Sequence, residues 1–386
     1  MDPSDFNSTR AGSLELCEGR GTRYHAFVPA ALPPALAFTP PLLVVLSEAD
    51  AGLGELAGVG RQLPNPHVLM APYVRREAVL SSRIEGTQAS LSEVFEDEVL
   101  HEHARGEDAD VQEVRNYVTA LEYGIAQVAG GRRLSLDLVL DLHRRLMDGV
   151  RGHDKDPGQF RIAQNWIGHK HSTLETATFV PPHPEVLPAA LADWETFMTR
   201  SASTVPPLVA CALLHQQFET IHPFRDGNGR VGRLIIPLFL MERQRLPIPL
   251  LYLSAYIDQH KSEYARLLQV VRTDGDWEAW IAFFLRGVAS TAKEAATRTM
   301  EIVDYCEMAR ELTARNPNSV RLLRSLLGNP FMSTNRAAKA LGVTLPTARK
   351  AIEVLRQHGI VSDAGKRGHT PLVVARDLLN IFNRTA

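Results

Sequence analysis

Apolar residues recur three and four positions apart through most of this 386-residue chain, and that period constrains it to a bundle of amphipathic helices. The spacing starts at Leu42 and predicts helices over 74–84, 90–103, 111–128 and 136–146, several of them behind a Ser or Asp suited to cap a first turn. It resumes over 187–198, 208–218, 230–241, 262–271 and 277–284, and again over 288–312. Between Arg151 and Pro188 the period fails, leaving a long loop with a short hairpin; irregular stretches of this length in compact domains usually carry function. Ahead of Leu42, residues 24–38 read as extended, proline-punctuated chain.

A hydrophobic fraction of 45% with 22% charged residues fits a soluble, core-forming chain and excludes wholesale disorder. No basic segment followed by an apolar run opens the sequence, and no stretch is apolar for the length of a membrane span, so the expectation is a cytoplasmic protein without a membrane partner. Cys17, Cys211 and Cys306 lie far apart with no CxxC spacing, which points away from a disulfide framework or a zinc site.

The formal net charge of −2 hides an asymmetry. From Arg315 onward there are 12 Lys and Arg against 3 Asp and Glu, giving this tail +9 and the remainder −11. Residues 313–319, "TARNPNS", break the last long helix and mark a boundary. Beyond it the spacing predicts a helix over 320–327, a second capped by Thr334 and ending at Leu341, and a third capped by Thr344 and ending at His358. Two short extended runs then flank a Gly-rich basic turn, the order of a winged helix-turn-helix. Arg349, Lys350 and Arg356 on the third helix, with Lys366 and Arg367 in the wing, suit phosphate contacts, and Thr344, Thr347 and Arg349 could reach base edges. A solvated cap, or a module for protein contact or a homodimer, stays open beside DNA.

The densest chemistry lies in residues 220–233, "TIHPFRDGNGRVGR". Its three glycines spell GxGxxG, but a dinucleotide site needs a strand before them and an acid about 20 residues on. Here a helical stretch precedes, and "IPLLYLSAY" fills the acid's place. The lack of HExxH removes a metalloprotease. What remains is a helix, a turn and a second helix beginning near Asn228, whose exposed N–H groups and dipole favour phosphate. Gly227, Gly229 and Gly232 allow close backbone approach. Arg230 and Arg233 are three apart and project on one side, as a polyphosphate clamp would. Asp226 suits magnesium, and His222 is the side chain suited to accept a proton near neutral pH. Taken singly these residues are an ordinary turn with surface salt bridges; as a set they describe a phosphate-transfer site.

His222, Phe224, Asp226, Gly227, Asn228, Gly229, Arg230 and Arg233 match HxFx[DE]GNGRxxR, and through this long signature the chain resembles the Fic family. The resemblance implies an all-α Fic bundle with a small β-hairpin flap and a protein adenylyltransferase that moves AMP from ATP to a Tyr, Thr or Ser hydroxyl of a target protein. His222 is then the base, Asp226 the Mg2+ ligand, and Phe224 the buried anchor. Asn228 with the amides of Gly227 and Gly229 forms an anion hole. Arg230 and Arg233 hold the outer phosphates, with Val231 and Gly232 in the same nucleotide-binding run. Gly229 resembles the AMP-transferring branch, since phosphorylating relatives carry lysine there. "PGQFR" (157–161) and "FVPPHP" (179–184) resemble the loop and flap over the site, with Thr176, Ala177, Thr178 and Phe179 contacting nucleotide and target.

Ser81, Glu85 and Gly86 in "SSRIEG" match the family's inhibitory motif [ST]xxxE[GN], which implies that Glu85 pairs with Arg233 and blocks the productive pose of ATP; the same glutamate supports AMP removal in some relatives. The implied layout is a regulatory region over 1–105, a catalytic core over 106–288, a helical linker over 289–315 and the winged helix over 316–386. Two other readings remain: a nucleotide-sensing, DNA-binding transcriptional regulator, and transfer of another nucleotide such as UMP. Tyr252 and Tyr264 are equally readable as base-pocket or core residues.

Overall fold

The computed structural model describes residues 1–19, 21–62, 66–100, 108–169, 171–200, 205–367 and 370–384. Helices dominate, as the period requires, but two small antiparallel sheets accompany them. The first is a hairpin of β1 (Gly12–Gly19) and β2 (Thr22–Pro29), with Gly12 opposite Pro29 and Gly19 opposite Thr22. The expectation of irregular extended chain here missed a regular pair. Its Tyr24 and Ala26 pack on Ala177 and Val180, and Phe27 N donates to Val180 O at 2.9 Å, so the hairpin is held by the loop it covers.

α1 (Pro40–Gln62), α2 (Pro66–Ile84), α3 (Leu91–Leu100), α4 (Ala109–Ala129) and α5 (Leu136–Leu146) follow. Their ends are locally encoded. Ser90 and Glu93 form a capping box before α3, with Ser90 N donating to Glu93 at 2.8 Å. Asp108 accepts from the amides of Asp110 and Val111, and Ser135 accepts from Leu138 N. The last residues of the helix expected over 90–103 lie outside the described residues.

α6 (Leu187–Arg200), α7 (Pro207–Ile221) and α8 (Asn228–Glu242) come next. Leu208 through Ile221 is buried without a break, so α7 is the central rod, and the turn into α8 carries the signature residues. α9 (Ser254–Gln259) and α10 (Lys261–Asp274) lead to α11 (Trp277–Thr313). Two helices were expected over 277–312; there is one, 37 residues long. Gly287, in the gap between the two expected helices, lies within it, where a Cβ would approach Tyr256 Cδ1 to 2.7 Å. The glycine therefore serves packing and does not end the helix.

The C-terminal elements are α12 (Pro317–Gly328), β3 (Phe331–Ser333), α13 (Thr334–Leu341), α14 (Leu345–Gln357), β4 (Ser362–Arg367), β5 (Thr370–Val374) and α15 (Arg376–Asn383). The strands run in the order β3-β5-β4, all antiparallel. Ser333, not Thr334, caps α13, its Oγ accepting from Arg336 N. Thr344 occupies the N-cap of α14 but its hydroxyl meets Thr347 Oγ1 at 3.0 Å and no backbone amide. β3, α9 and α15 were too short for the period to reveal. Among the described residues no helix is long and apolar enough to cross a membrane.

α4 reaches α8 through Gly124, where a Cβ would meet Leu238 Cδ1 at 2.7 Å and Leu142 Cδ2 at 3.1 Å. Gly124→Val should therefore cost about 1–3 kcal/mol by overpacking. Urea unfolding measures it, and an unchanged midpoint would mean that α4 does not set the position of α8.

Candidate active site

α7 ends at His222, a left-handed residue with φ 48° and ψ 59° whose N–H closes on Phe218 O at 2.9 Å. That reversal turns the chain into a tight loop rather than a longer helix. Phe224 anchors it: fully buried, it stacks on His143 with ring centroids 3.7 Å apart and lies 5.4 Å from the Phe160 ring. Asn228 closes the loop, accepting from Phe224 N and donating to Phe224 O, both at 2.8 Å. Its side-chain amide is therefore committed to the fold, and the open donors of this turn are backbone N–H groups. Gly227, with φ 78°, is the N-cap of α8 and brings no side-chain cap to that helix. The start of α8 thus presents uncapped amides at its positive pole.

Asp226 stands at the rim. Its side chain is 42% exposed, with Oδ1 accepting from Gly227 N at 2.6 Å. Arg230 is buried; Nη1 lies 3.6 Å from Glu113 and Nη2 3.8 Å from Asp226, but Nε and Nη1 have no hydrogen-bond partner. Val231 is fully buried, and Gly232 packs against α7, where a Cβ would lie 2.6 Å from Glu219 Oε1.

Arg233, also buried, is held through Nε and Nη2. Nε donates to Ser81 Oγ at 2.7 Å, and Nη2 donates to Ser81 O at 3.0 Å and to Glu85 Oε1 at 2.7 Å. A Cβ at Gly229 would run into that same Glu85 oxygen, so the carboxylate rests over the first turn of α8. Gly86 follows with φ 100°, and the turn is fixed by Glu85 N and Thr87 N donating to Ser82 O and Gly86 N to Arg83 O. Burial pushes the Glu85 carboxyl up, but Arg233, aided by Arg230 and Lys261, more than offsets it, and the pKa lies below the ordinary glutamate value. Arg233 is correspondingly raised: burial opposes its charge and Glu85 overcomes that.

His222 is half-buried. Burial, with the guanidiniums of Arg272 and Arg161 nearby, pulls its pKa down to about 3, and its Nδ1 has no partner. The ring is neutral and able to accept a proton.

Three supports were not foreseen as such. Arg161 of "PGQFR" is buried and donates to His222 O at 3.0 Å, Ile221 O at 3.3 Å and Pro182 O at 2.6 Å, tying the 179–184 segment to the turn at His222. Asn165 donates to His222 O and Phe224 O. His143 accepts from Gly158 N at Nδ1, so Nε2 carries the proton and donates to Asp226 O at 3.0 Å; burial holds its pKa near 4. For Arg161 the sequence did offer a signal, an arginine inside the motif-like loop. For His143, a single histidine on a helix, it offered none.

The expected flap hairpin reduces to one antiparallel bridge, Ile167 with Phe179. Phe179 is fully buried, its ring 5.7 Å from Phe27 and under the Arg272 guanidinium at 3.8 Å; Ala177 is buried as well. Thr176 and Thr178 are exposed, and Thr176 Oγ1 accepts from Thr173 N. Tyr252 and Tyr264 are buried, the latter bonded to His215 Nε2 at 2.9 Å. No group of three or more His, Cys, Asp or Glu is arranged for a metal among the described residues.

The turn thus brings together a neutral histidine, a helix start without a side-chain cap and two buried arginines. Residues 43–126 match the Fic/DOC family N-terminal profile and residues 133–240 the Fic/DOC family profile, and the chain belongs to this family. It is similar to proteins named protein adenylyltransferase Fic from Aedes aegypti, 26% identical over 214 residues (54% of this chain, 38% of that one), and Nematostella vectensis, 28% identical over 183 residues (47% and 38%). It thus spans less than half the length of these curated relatives. Among solved structures, a Fic family protein from Desulfovibrio desulfuricans G20 shares the fold, with a TM-score of 0.58 at 22% identity over 89% of this chain and 98% of that one.

The lowered Glu85 pKa has a definite sign. The pair with Arg233 stabilises the fold above the carboxylate range and is lost only as pH falls through the depressed folded value. An NMR titration of the Glu85 carboxyl carbon should have its midpoint below that of ordinary glutamate, and Arg233→Met should move it up. A midpoint that ignores Arg233 would show that the pair is not formed in solution.

Proposed function

We propose that this chain is a protein adenylyltransferase that transfers AMP from ATP to a Tyr, Thr or Ser hydroxyl of a target protein and releases pyrophosphate, restrained by Glu85. The observation that carries this reading is the buried Arg230 beside the uncapped start of α8: two of its guanidinium nitrogens make no hydrogen bond, although Nη1 lies in ion-pair range of Glu113. A buried cation with unused donors is costly unless an anion completes it, and a polyphosphate does so.

The chemistry follows from the placement. His222 Nδ1 or Nε2 takes the proton of the target hydroxyl as its oxygen bonds the α-phosphorus of ATP. The bond from that phosphorus to the bridging oxygen breaks, and pyrophosphate leaves with the electron pair. The first amides of α8 and Arg230 stabilise charge on the phosphate oxygens without rearranging. Arg161 and Asn165 hold the His222 carbonyl, so the ring is fixed by its own backbone.

Mg2+ fits the residues present. Magnesium is ordinarily bound through one or two carboxylates together with substrate phosphates, and the partly exposed Asp226 offers one. Bound there, the ion would neutralise phosphate charge. Glu85 acts as a brake because it already occupies the arginine and the helix start that the terminal phosphate needs.

Transfer of label from α-labelled ATP to self or lysate acceptors tests this. Wild type should transfer little, Glu85→Gly at least about tenfold more, and Glu85→Gly with His222→Ala about a hundredfold less than Glu85→Gly, the usual contribution of a general base. If all three bind ATP and none transfers label, the site is a nucleotide sensor and the enzyme reading fails.

A further inference from the structure

Glu85 occupies the corner of a helical hairpin, and both arms of that hairpin rest on the C-terminal module. α2 packs against α12 and α15, and its Arg76 donates to Arg384 O, an acceptor shared with Arg298. α3 meets β3, and the Phe95 ring lies 6.3 Å from Phe382. Asn329, buried, donates to Phe95 O at 2.9 Å and to Glu98, which is also paired with Arg75 of α2 at 2.7 Å. One carboxylate therefore joins both arms to the module. Four residues beyond Ser81, the hairpin turns and holds Arg233.

The opposite side of the module is free of this packing. α14 buries Ala348, Ala351, Ile352 and Leu355 on α12 and α13, and exposes Thr344, Thr347, Arg349 and Lys350 near its start. Residues 334–358 hold five Lys and Arg against a single acid, Glu353. That acid is spent on Arg356, which also bonds Asp363, so Arg356 braces the module while Arg349 and Lys350 face outward. The side chains of Lys366 and Arg367 lie outside the described residues. A short helix with hydroxyls and cations at its first turns, preceded by a helix and a tight turn, fits the major groove of duplex DNA.

We infer that the C-terminal module binds duplex DNA through the first half of α14, and that this binding loosens the Glu85–Arg233 clasp through the α2–α3 hairpin. The contacts from module to hairpin are already at bonding distance, so a shift of the module on the duplex lengthens them, and the corner they hold relaxes. The inference rests on the reading of Glu85 as a brake, but its test uses no nucleotide transfer, so failure of one is distinct from failure of the other.

Full-length protein is titrated into a labelled random duplex of about 20 base pairs, starting near 50 mM salt, and amide exchange is followed with and without it. The expected result is salt-sensitive binding whose log–log slope flattens by about 1 for each of Arg349→Ala and Lys350→Ala. Saturating duplex should speed exchange of the Glu85, Gly86 and Thr87 amides about fivefold or more, and Glu85→Gly should bind the duplex more tightly by reciprocity. With Arg76→Gln, binding should persist and the exchange response shrink. Absence of binding at low salt, equal binding to a single strand or an RNA duplex, or binding that leaves those amides unchanged would each overturn the inference.

Discussion

The Arg233 guanidinium is the constraint around which the site is arranged. It is fixed in the core by Ser81, and removing the partner of a buried charge typically costs about 3–5 kcal/mol. A carboxylate beside it offsets that cost, and in this structure the carboxylate is Glu85. Glu85 meets that demand from the end of α2, where Gly86 can take the left-handed turn, and Gly229 leaves the room that the carboxylate fills. On the proposed reading, a phosphate meeting the same demand displaces Glu85, so nucleotide occupation and restraint are two states of one electrostatic requirement.

A second requirement concerns carbonyls. The reversal at His222 leaves the carbonyl groups of Ile221, His222, Phe224 and Asp226 outside any helix ladder, in surroundings where unpaired acceptors are costly. Each finds a donor from elsewhere in the chain: Arg161 for the first two, Asn165 for His222 and Phe224, Asn228 for Phe224, and His143 for Asp226. Arg161 also reaches Pro182 O, so the flap and the catalytic turn share one cation. The neutrality of His143 and His222 belongs to the same arrangement, because burial that makes the acceptors demanding also disfavours a charged ring.

What was legible in the sequence follows from how local each cause is. Helices such as α5 and α8 were readable because their period, caps and left-handed glycines act within a few residues. The β1–β2 hairpin was not, since its ordering comes from Ala177 and Val180, about 150 positions away, and not from its own alternation. The single run of α11 was read as two because the spacing lapses between Phe284 and Val288, where Gly287 answers to Tyr256, a partner invisible to spacing. In the site, the helix start near Asn228 could be derived from residue types alone. The pairing of Glu85 with Arg233, 148 positions apart, had no physical signal in the sequence and rested on resemblance. Asn228 shows a finer limit: the motif marks the residue, but only the geometry reveals that its side chain closes the loop on Phe224.

On the proposed reading of Glu85 as a brake, its position lets a single carboxylate restrain the site from outside the loop that carries His222. Were it on α7 or α8, whose faces are buried almost throughout, its release would require disturbing the core that also positions His222. On the α2–α3 corner its side chain is 37% exposed, and the turn behind it is held by three backbone hydrogen bonds. Glu85 and Gly86 are exposed where α7 and α8 are buried, so opening of this corner disturbs less buried surface than a shift of the turn at His222 would.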